Sequence, residues 1–465
     1  METLLTHGYF LNEDRNGLKE IKPYPLLGIL YLSSFLKLSN IPHFVFDSTF
    51  SSRHELMTLV KRDKPSMIGF YVNLWTKPKV LSIINEIRKD SNLKHSKIVL
   101  GGPDTTFNIE DYLNYGADYM VIGEGEKTFK ELVTTIEAGK EITEVNGIAF
   151  KNSNGEIIKT LPRARIKDLD SFGFPNRTAI DLNQYFDFWK RNFGYTSINI
   201  STQRGCPYSC NWCNTGVFGH LFVQRSVESV ASETEYLFHT YKPDTIRFVE
   251  DLFTYKKEWV MELCATLKKR NNIIPFECTT RAEYLDEEII ENLKMAGCYQ
   301  VWVGIESGSQ TILNALNTKT NVMQNAHALN LLNIHGIRTG TFVMLGYPKE
   351  TLHDVRRTMN FLKETKPDNF AVSLAFPIKG TPLYNQVKSE LIKEPAWNKY
   401  TDKDVDFKRT YPRIFYRFAA SWIVNEFIYF KIVHNIYSRW EVLKFKIKSI
   451  IAFILMNVSS VFSKQ

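Results

Sequence analysis

Three closely spaced cysteines, Cys206, Cys210 and Cys213, are the residues of this sequence whose type and spacing most clearly indicate chemistry. Soft thiolates this close together favour an iron-sulfur cluster or zinc. A structural zinc site wants a fourth protein ligand. Three ligands instead leave one iron of a 4Fe-4S cluster open to a substrate or cofactor. The triplet therefore favours a catalytic cluster, with zinc as the alternative.

The other cysteines, Cys264, Cys278 and Cys298, are single residues within helix or strand patterns. We expect them to be small buried hydrophobic residues. Six cysteines in a chain of 465 residues are too few for a disulfide scaffold, which indicates a reducing compartment. Because we find neither a secretory signal nor an apolar stretch of transmembrane length, we expect a cytoplasmic protein.

The cysteines follow the first of six strand-like runs that alternate with helical patterns. Such an alternation predicts a partial or full (β/α) barrel, whose active site lies at the carboxyl ends of its strands. The runs cover residues 197–201, 245–249, 275–279, 300–305, 338–345 and 369–376.

A second α/β pattern precedes the barrel. Short β-rich runs at residues 43–46, 67–72, 97–100 and 119–122 alternate with helical patterns. This alternation predicts a doubly wound, Rossmann-like parallel sheet that binds its ligand at the carboxyl ends of the strands. Glycine turns at Gly101-Gly102 and at Gly123 lie at two of these ends.

The sequence therefore predicts an α/β protein in four parts. The doubly wound domain covers residues 1–150, and a hairpin and linker, with a turn at Asn154-Gly155, cover residues 151–190. The barrel covers residues 191–390, and a basic, aromatic, helical tail covers residues 391–465.

The cysteine spacing, with Trp212 directly before the third cysteine, resembles the signature of the radical S-adenosylmethionine (SAM) superfamily. The resemblance implies that a 4Fe-4S cluster, held by Cys206, Cys210 and Cys213, gives one electron to SAM. SAM would chelate the open iron and break to a 5′-deoxyadenosyl radical.

The same resemblance implies SAM-binding residues at successive strand ends. Residues 304–310 are similar to the family's sequence motif at its fourth strand, which implies that Glu306 accepts hydrogen bonds from the ribose. Arg281 would pair with the SAM carboxylate. For Glu250 and Asp251 an ordinary pair of carboxylates at the barrel rim is the alternative. The predicted SAM residues are Trp212, Glu250, Asp251, Arg281, Gly304, Glu306 and Ser307.

Residues 346–351 resemble the family's Gly-x-Pro-Gly-Glu-Thr turn, although Lys349 replaces the second glycine. We expect this replacement to affect only a detail of the backbone.

The amino-terminal domain resembles the cobalamin-binding domain of one large branch of the superfamily, through residues 25–32, 101–104 and 118–126. The resemblance implies a cobalamin site that includes Gly101, Gly102, Asp104, Gly123 and Glu124, where small residues let the backbone approach a bulky ring. Plain turn glycines are the alternative. The Asp-x-His-x-x-Gly motif that supplies a histidine ligand to cobalt is missing. The cobalt would then lack a protein ligand, or the domain has kept the fold without the cofactor.

Together the resemblances imply a cobalamin-dependent radical methyltransferase acting on carbon, in which methylcobalamin donates the methyl group. A radical cyclase, oxidase or mutase without methyl transfer is the alternative enzyme, and a non-catalytic cobalamin or metal sensor is the alternative of another class. The expected partners are a small-molecule or lipid-like substrate and an electron donor such as flavodoxin or ferredoxin.

Positive charge is concentrated in the tail. The net charge is +8, and residues 407–465 carry ten Lys and Arg against two acids, which is the whole excess. A general surface for nucleic acid is therefore not expected. The tail also contains aromatic residues and the apolar run 450–456. It would either cap the barrel or contact an anionic membrane surface peripherally.

Overall fold

The computed structural model describes residues 2–14, 22–271, 273–393, 396–435 and 439–461. It divides into two compact units. The first unit comprises residues 1–207, 214–246 and 395–402, and the second comprises residues 208–213, 247–394 and 403–465. Each predicted strand run has a counterpart here, and the predicted helical tail contains helices.

The first unit is built on a seven-stranded sheet in the order β2-β1-β3-β4-β5-β6-β7. Its first five strands are parallel, and β6 and β7 are antiparallel additions at one edge. The strands are β1 (Thr3–His7), β2 (His43–Phe46), β3 (Met67–Tyr71), β4 (Lys97–Gly101), β5 (Tyr119–Val121), β6 (Ile148–Lys151) and β7 (Ile157–Lys159).

Adjacent residues of a strand point to opposite sides of a sheet. In this sheet both sides carry apolar residues, and helices cover both. Leu4 of β1 lies in one buried cluster and Leu5 lies in the other. The helices of this sheet are α1 (Leu27–Leu38), α2 (Arg53–Asp63), α3 (Lys77–Lys89), α4 (Ile109–Tyr115) and α5 (Gly125–Glu137). The doubly wound prediction is confirmed.

Two features of this unit differ from the sequence-based expectation. The strand β1 was not predicted, although it lies between β2 and β3 in the sheet. The hairpin at Asn154-Gly155 joins β6 to β7, which extends the first sheet past residue 150 because Phe150 of β6 pairs with Ile158 of β7. The strands of this hairpin are therefore part of the sheet, and α6 (Leu182–Phe193) crosses the predicted boundary at residue 190.

The second large sheet has six strands in the order β15-β14-β13-β12-β11-β8. It is open, with β15 and β8 at its edges, which is the partial form of the predicted barrel. Its strands are β8 (Ser197–Ile200), β11 (Thr245–Phe248), β12 (Phe276–Thr280), β13 (Cys298–Glu306), β14 (Arg338–Leu345) and β15 (Asn369–Leu374). The strands β12 to β15 pair in parallel.

Helices alternate with these strands as the pattern predicts. They are α7 (Val227–Thr240), α8 (Lys257–Arg270), α9 (Glu287–Met295), α10 (Gln310–Ala315), α11 (Val322–Ile334), α12 (Leu352–Thr365) and α13 (Pro382–Val387). Two short antiparallel pairs complete the described strands: β9 (Gln203–Arg204) with β10 (Val223–Gln224), and β16 (Leu391–Lys393) with β17 (Asp406–Phe407).

The tail forms two long helices, α14 (Arg413–Asn435) and α15 (Arg439–Val461). They pack antiparallel, since Trp422 contacts Phe453 while Glu426 accepts a hydrogen bond from Ser449 at 2.7 Å. Phe427 of α14 packs edge-on against Phe370 of β15. Among the described residues, no helix has both the length and the hydropathy that crossing a membrane requires.

Candidate functional site

The loop that carries the three cysteines begins and ends in an antiparallel strand pair. Arg204 of β9 pairs with Val223 of β10, so the first unit fixes both ends of the loop. Gly205 has a φ of +79°, and a Cβ there would lie 2.1 Å from the Leu221 carbonyl oxygen. Only glycine fits this position. The Cys206 amide then donates to the Gly219 carbonyl at 3.3 Å.

In the second unit, Cys210 and Cys213 form a tight turn, in which the Cys213 amide donates to the Cys210 carbonyl at 3.1 Å. Asn211 anchors this turn. Its backbone amide donates to the Leu316 carbonyl at 3.1 Å, and its side-chain amide donates to the Ala315 carbonyl at 2.8 Å and to the Tyr347 hydroxyl at 3.2 Å. Sequence reasoning missed Asn211, whose only signal was its position between the cysteines.

Trp212 packs against the hydrophobic cluster that contains Met344, Tyr347 and Leu316. Its ring therefore joins the cysteine turn to the ends of β14 and α10. The Tyr347 contacts show what the Gly-Tyr-Pro turn does in this chain, since that turn supplies both a hydrogen-bond partner and a packing surface for the cysteine turn.

Arg281 follows β12 and contacts the cysteine turn. Its Nη1 donates to the Cys210 sulfur at 3.8 Å, its Nε donates to Glu283 at 2.7 Å, and its Nη2 donates to the Thr318 carbonyl. The guanidinium also stacks 3.8 Å from the centre of the Tyr208 ring. These contacts make Arg281 a residue that positions Cys210, and its pairing with the SAM carboxylate stays a prediction.

Glu306 ends β13 in the left-handed region, at a φ of +57°, which is strained for a residue other than glycine. Desolvation raises the pKa of its carboxyl to about 8, with Arg281 opposing the rise and Asp251 adding to it. Strain and an unfavourable charge at one strand end are marks of a functional site. The adjacent Gly304 leaves room for this carboxyl, since a Cβ there would meet Glu306 Oε1 at 3.3 Å.

The pair Glu250 and Asp251 separates in the structure. Glu250 is buried, whereas Asp251 is solvent-accessible and influences Glu306. Desolvation by the surrounding protein raises the pKa of Asp251 above its usual range, and Arg247 opposes that rise. Asp251, Arg281 and Glu306 are therefore the predicted SAM residues that the structure brings together.

Ser307, another predicted SAM residue, has a structural role in this chain. It is fully buried, its hydroxyl lies 3.1 Å from the Thr358 hydroxyl of α12, and it accepts from the Ser309 amide at 3.1 Å. These bonds hold the turn after β13 against α12. Ser307 therefore supports the shape of this turn, and a direct contact between Ser307 and SAM stays a prediction.

A polar and aromatic group on β11 to β14 was not foreseen. Glu277 accepts from Arg247 at 3.0 Å and from the Trp302 indole at 2.9 Å. Trp302 stacks on Phe342 with ring centroids 5.0 Å apart, and a Cβ at Gly340 would lie 2.4 Å from the indole. The isolated positions of these residues in sequence gave no signal, because only strand pairing brings them together.

The three other cysteines are buried, as predicted. They are not isolated, since a hydrogen bond from Cys298 together with burial raises the pKa of Cys278 well above its usual range. Among the described residues, no group of three His, Cys, Asp or Glu side chains is arranged to hold a single metal ion. As a donor set, the three loop thiols suit a cluster, and Arg281 beside Cys210 would stabilise a thiolate there.

At the carboxyl end of the first sheet, Glu124 is already bonded. It accepts from Arg204 at 3.0 Å and from the Ile166 amide at 2.9 Å, and Glu126 also accepts from Arg204, at 2.5 Å. All three side chains are at least nine-tenths buried. This buried network shows that Glu124 holds Arg204, directly before the cysteine loop, while its contact with cobalamin stays a prediction.

Asp104 is likewise occupied. The Tyr112 hydroxyl donates to its carboxylate, and Asn108 donates to its backbone carbonyl at 2.9 Å. Gly102 is required by packing, because at its φ of +116° a Cβ would lie 2.4 Å from the Val72 carbonyl oxygen. By contrast, a Cβ at Gly101 would make only an ordinary contact of 3.7 Å. Gly101 is thus the glycine of this turn that packing does not explain.

The segment after the third cysteine lies against this same sheet end. Thr106 donates to the Gly216 carbonyl at 3.3 Å, and Arg165 donates to the Val217 carbonyl at 2.6 Å. Gly123 has a φ of +79°, and a Cβ at this position would lie 3.6 Å from the Val217 carbonyl oxygen, an ordinary contact distance. The turns after β4 and β5 therefore contact residues 216–217 within the first unit.

A polar network lies at the ends of β1 and β2. It was not predicted from the sequence, because β1 itself was not predicted. His7 Nε2 lies 2.9 Å from Asp47, which also accepts from the Tyr185 hydroxyl at 2.7 Å. Burial opposes ionisation of Asp47, but these bonds and one from the Thr49 amide hold its pKa at about 2. The Tyr9 amide donates to His7 Nδ1 at 3.2 Å, so both ring nitrogens are engaged.

The descriptions of two family models agree with these two sites. The Radical SAM superfamily model matches residues 200–362, and the B12 binding domain model matches residues 22–133. The chain therefore contains a Radical SAM superfamily domain and, before it in the sequence, a B12 binding domain. It is accordingly an enzyme, and its cofactors are a 4Fe-4S cluster, SAM and cobalamin.

Two relatives and one solved structure illustrate the similarity. An uncharacterized methyltransferase of Pyrococcus horikoshii is 29% identical over 395 residues, which cover 82% of each chain. The anaerobic magnesium-protoporphyrin IX monomethyl ester cyclase of Rubrivivax gelatinosus is 26% identical, over 76% of this chain and 65% of the relative.

The solved structure is that of the cobalamin-dependent SAM radical enzyme OxsB with aqua-cobalamin bound. It superposes with a TM-score of 0.77 at 19% identity, covering 98% of this chain and 72% of that one. This likeness shows that the two chains share a fold.

Proposed function

We propose that this radical SAM enzyme transfers a methyl group from cobalamin to a carbon atom of a small-molecule substrate. One observation carries the proposal: residues 216–217, which follow the cysteine loop, lie against the turns after β4 and β5. Ligands of doubly wound sheets bind at the carboxyl ends of the strands. A cobalamin at that end would therefore lie beside residues 216–217, which follow the third cysteine in the sequence.

When bound, the cluster would supply an electron for the cleavage of SAM, and cobalamin would supply the methyl group. Cys206, Cys210 and Cys213 would hold the cluster. Arg281 would keep Cys210 in position through its 3.8 Å contact with the sulfur. An electron donor such as flavodoxin or ferredoxin would reduce the enzyme between turnovers.

Glu306 would accept hydrogen bonds from the SAM ribose. Because the pKa of its carboxyl is about 8 without ligand, it would hold its proton at neutral pH until hydroxyl donors or the positive charges of SAM favour the carboxylate. Asp251, beside it, would increase the negative potential that attracts the cationic SAM.

The substrate would bind on the face of the second sheet that bears Gly304, Trp302 and Phe342. Ala371 and Ser373 of the neighbouring β15 are exposed. Phe370, the residue before Ala371, instead packs against Phe427 of α14. The stacked rings of Trp302 and Phe342 offer an apolar surface, which suits a ring or an aliphatic chain.

The test uses anaerobically reconstituted protein with dithionite and SAM carrying a deuterated methyl group. Methyl transfer predicts 5′-deoxyadenosine and S-adenosylhomocysteine together, and a visible spectrum of bound cobalamin. With substrate, the product gains the deuterated methyl group.

A second candidate, a radical reaction without methyl transfer, is supported by the similarity to the monomethyl ester cyclase. It predicts 5′-deoxyadenosine without S-adenosylhomocysteine and a product that gains no methyl mass. If a protein with full cluster content forms no 5′-deoxyadenosine, both proposals fail and the non-catalytic sensor gains support.

A further inference from the structure

The last helix, α15, exposes an apolar face. Eight aliphatic side chains of this helix are between 40% and 68% exposed: Leu443, Ile447, Ile450, Ile451, Ile454, Leu455, Val458 and Val461. Their spacing of three and four residues aligns them along one side of the helix. From the first to the last, the stripe is roughly 27 Å long. Single exposed aliphatic residues are ordinary, but a continuous stripe of eight marks a binding surface.

The opposite side of α15 is packed in place. Ser449, Ala452, Met456 and Ser459 are buried. Glu426 of α14 accepts from Ser449 at 2.7 Å and from Lys363 of α12 at 2.8 Å. The helix hairpin is therefore fixed to the second unit through α12, and the exposed stripe is not the result of a loosely attached helix.

The charges on this face have one sign. From Val442 to Val461, the exposed residues of α15 other than the eight aliphatic ones are Lys444 and Lys448, one turn apart. Glu426, the acid of α14, is turned inward and neutralised, since its side chain is 12% exposed and lies 2.8 Å from Lys363 and 3.5 Å from Lys446. The exposed face of α15 thus combines aliphatic residues with lysine and contains no described acid.

We propose that this face of α15 lies on an anionic membrane surface, with its aliphatic stripe in the headgroup region and Lys444 and Lys448 at the lipid phosphates. Basic amphipathic helices bind membranes in this way, without spanning them. A second protein surface fits less well. Protein interfaces are enriched in aromatic residues, Met and Arg and depleted in Lys, whereas this face has none of the enriched types and two lysines.

Co-sedimentation of the full, cofactor-loaded chain with vesicles tests the proposal. The vesicles contain equal phosphatidylcholine and phosphatidylglycerol, or phosphatidylcholine alone. We expect binding to the anionic vesicles that weakens as salt increases, and roughly tenfold weaker binding to the neutral ones.

Two double variants and one control locate the binding surface. Ile450→Glu with Ile454→Glu should abolish vesicle binding, and Lys444→Glu with Lys448→Glu should reduce it on anionic vesicles only. Ile334→Glu changes an aliphatic residue of α11 that is 78% exposed, and it should bind like the unchanged chain. Circular dichroism and iron content verify that each variant is folded and loaded.

Three results would overturn the proposal. The first is no binding by the unchanged chain, or equal binding by all variants. The second is a dimer, detected by light scattering, that Ile450→Glu with Ile454→Glu dissociates while vesicles remain unbound, which would make a second copy the occupant. The third is loss of turnover without any vesicle binding, which would show that the face covers the substrate route.

Discussion

The acidic residues at the carboxyl ends of the strands have different surroundings in the two sheets. At the end of the first sheet, Glu124 and Asp104 are buried and bonded, to Arg204 and Tyr112 respectively. At the end of the second, desolvation raises the pKa of both Glu306 and Asp251, and the charge of Asp251 raises that of Glu306 further.

This difference indicates what each end offers a cofactor. At the first edge the acidic side chains are already hydrogen-bonded, so the backbone and the glycines form the surface. Such a surface suits a large neutral ring that is bound by its shape. An edge whose carboxyl groups have raised pKa values suits a small cation such as SAM, because the ligand supplies positive charge and hydrogen-bond donors that favour the carboxylate form. Four predictions, in order of expected effect, test this contrast.

The largest effect is expected from Cys210→Ala. If the loop thiols hold the cluster, the variant should lose most of its iron and form no detectable 5′-deoxyadenosine. Cys278→Ala is the matched control, since it removes a buried thiol outside the loop and should cost about 1 kcal/mol of unfolding free energy. Iron and 5′-deoxyadenosine are measured on both. Equal iron in both variants would contradict a cluster at Cys210.

Next is Arg204→Met, which leaves Glu124 and Glu126 buried without their guanidinium. Breaking a buried ion pair on one side typically costs about 3–5 kcal/mol, and urea unfolding should show a loss of this size. Arg163 pairs with the more exposed Glu131, so Arg163→Met should cost less than about 1 kcal/mol. Similar losses in the two variants would mean that the first edge is not a buried network.

Glu306→Gln tests the raised pKa at the strand ends of the second sheet. In the unliganded protein, unfolding releases the Glu306 proton between pH 4.5 and about 8. The free energy of unfolding of the unchanged chain therefore falls as pH rises through that window, because the folded state binds the extra proton. The variant, which has no such proton, should become more stable relative to the unchanged chain from pH 5 to 8.

The same variant predicts an effect on SAM. Affinity of the unchanged chain should rise with pH up to about 8, as the carboxylate form becomes available, and should be about tenfold lower and independent of pH in Glu306→Gln. Equilibrium dialysis with labelled SAM measures both. A pH-dependent affinity that persists in the variant would exclude Glu306 as its source.

The smallest effect is expected from Lys349→Gly, a gain in stability. Lys349 has a φ of +69°, the conformation that the family's glycine adopts without strain. The glycine should raise the free energy of unfolding by about 1 kcal/mol, and Lys349→Ala should give no gain. Thermal unfolding of the pair is sufficient. A gain with alanine would point to charge and not to backbone strain.

The sequence predicted the strand alternation of both units, because buried parallel strands give apolar runs of regular spacing. It failed at β1, where threonines and a terminal histidine interrupt the apolar pattern of a central strand. The loop cysteines and Glu306 were accessible to sequence reasoning because their motifs are local. The partners of Glu124, Asp104 and Ser307 were not, since each bond depends on chain segments brought together only by folding.

Similar limits apply to Arg281. Its position after a strand suggested a ligand-binding role, but its contacts with Cys210 and Thr318 come from loops distant in sequence. The glycines show the same distinction. Gly102 and Gly205 are fixed by the backbone that approaches them, and nothing in the local sequence distinguishes them from Gly101, for which packing gives no reason.

The pairing of β9 with β10 has a consequence for how the enzyme is assembled. Because Gln203 pairs with Gln224 and Arg204 with Val223, the polypeptide alone brings the two ends of the cysteine loop together. The entropic cost of closing that loop is met during folding and not when iron and sulfide arrive. We therefore expect cluster insertion to require no refolding of the chain, so that a protein that has lost its cluster to oxygen should regain it without being unfolded.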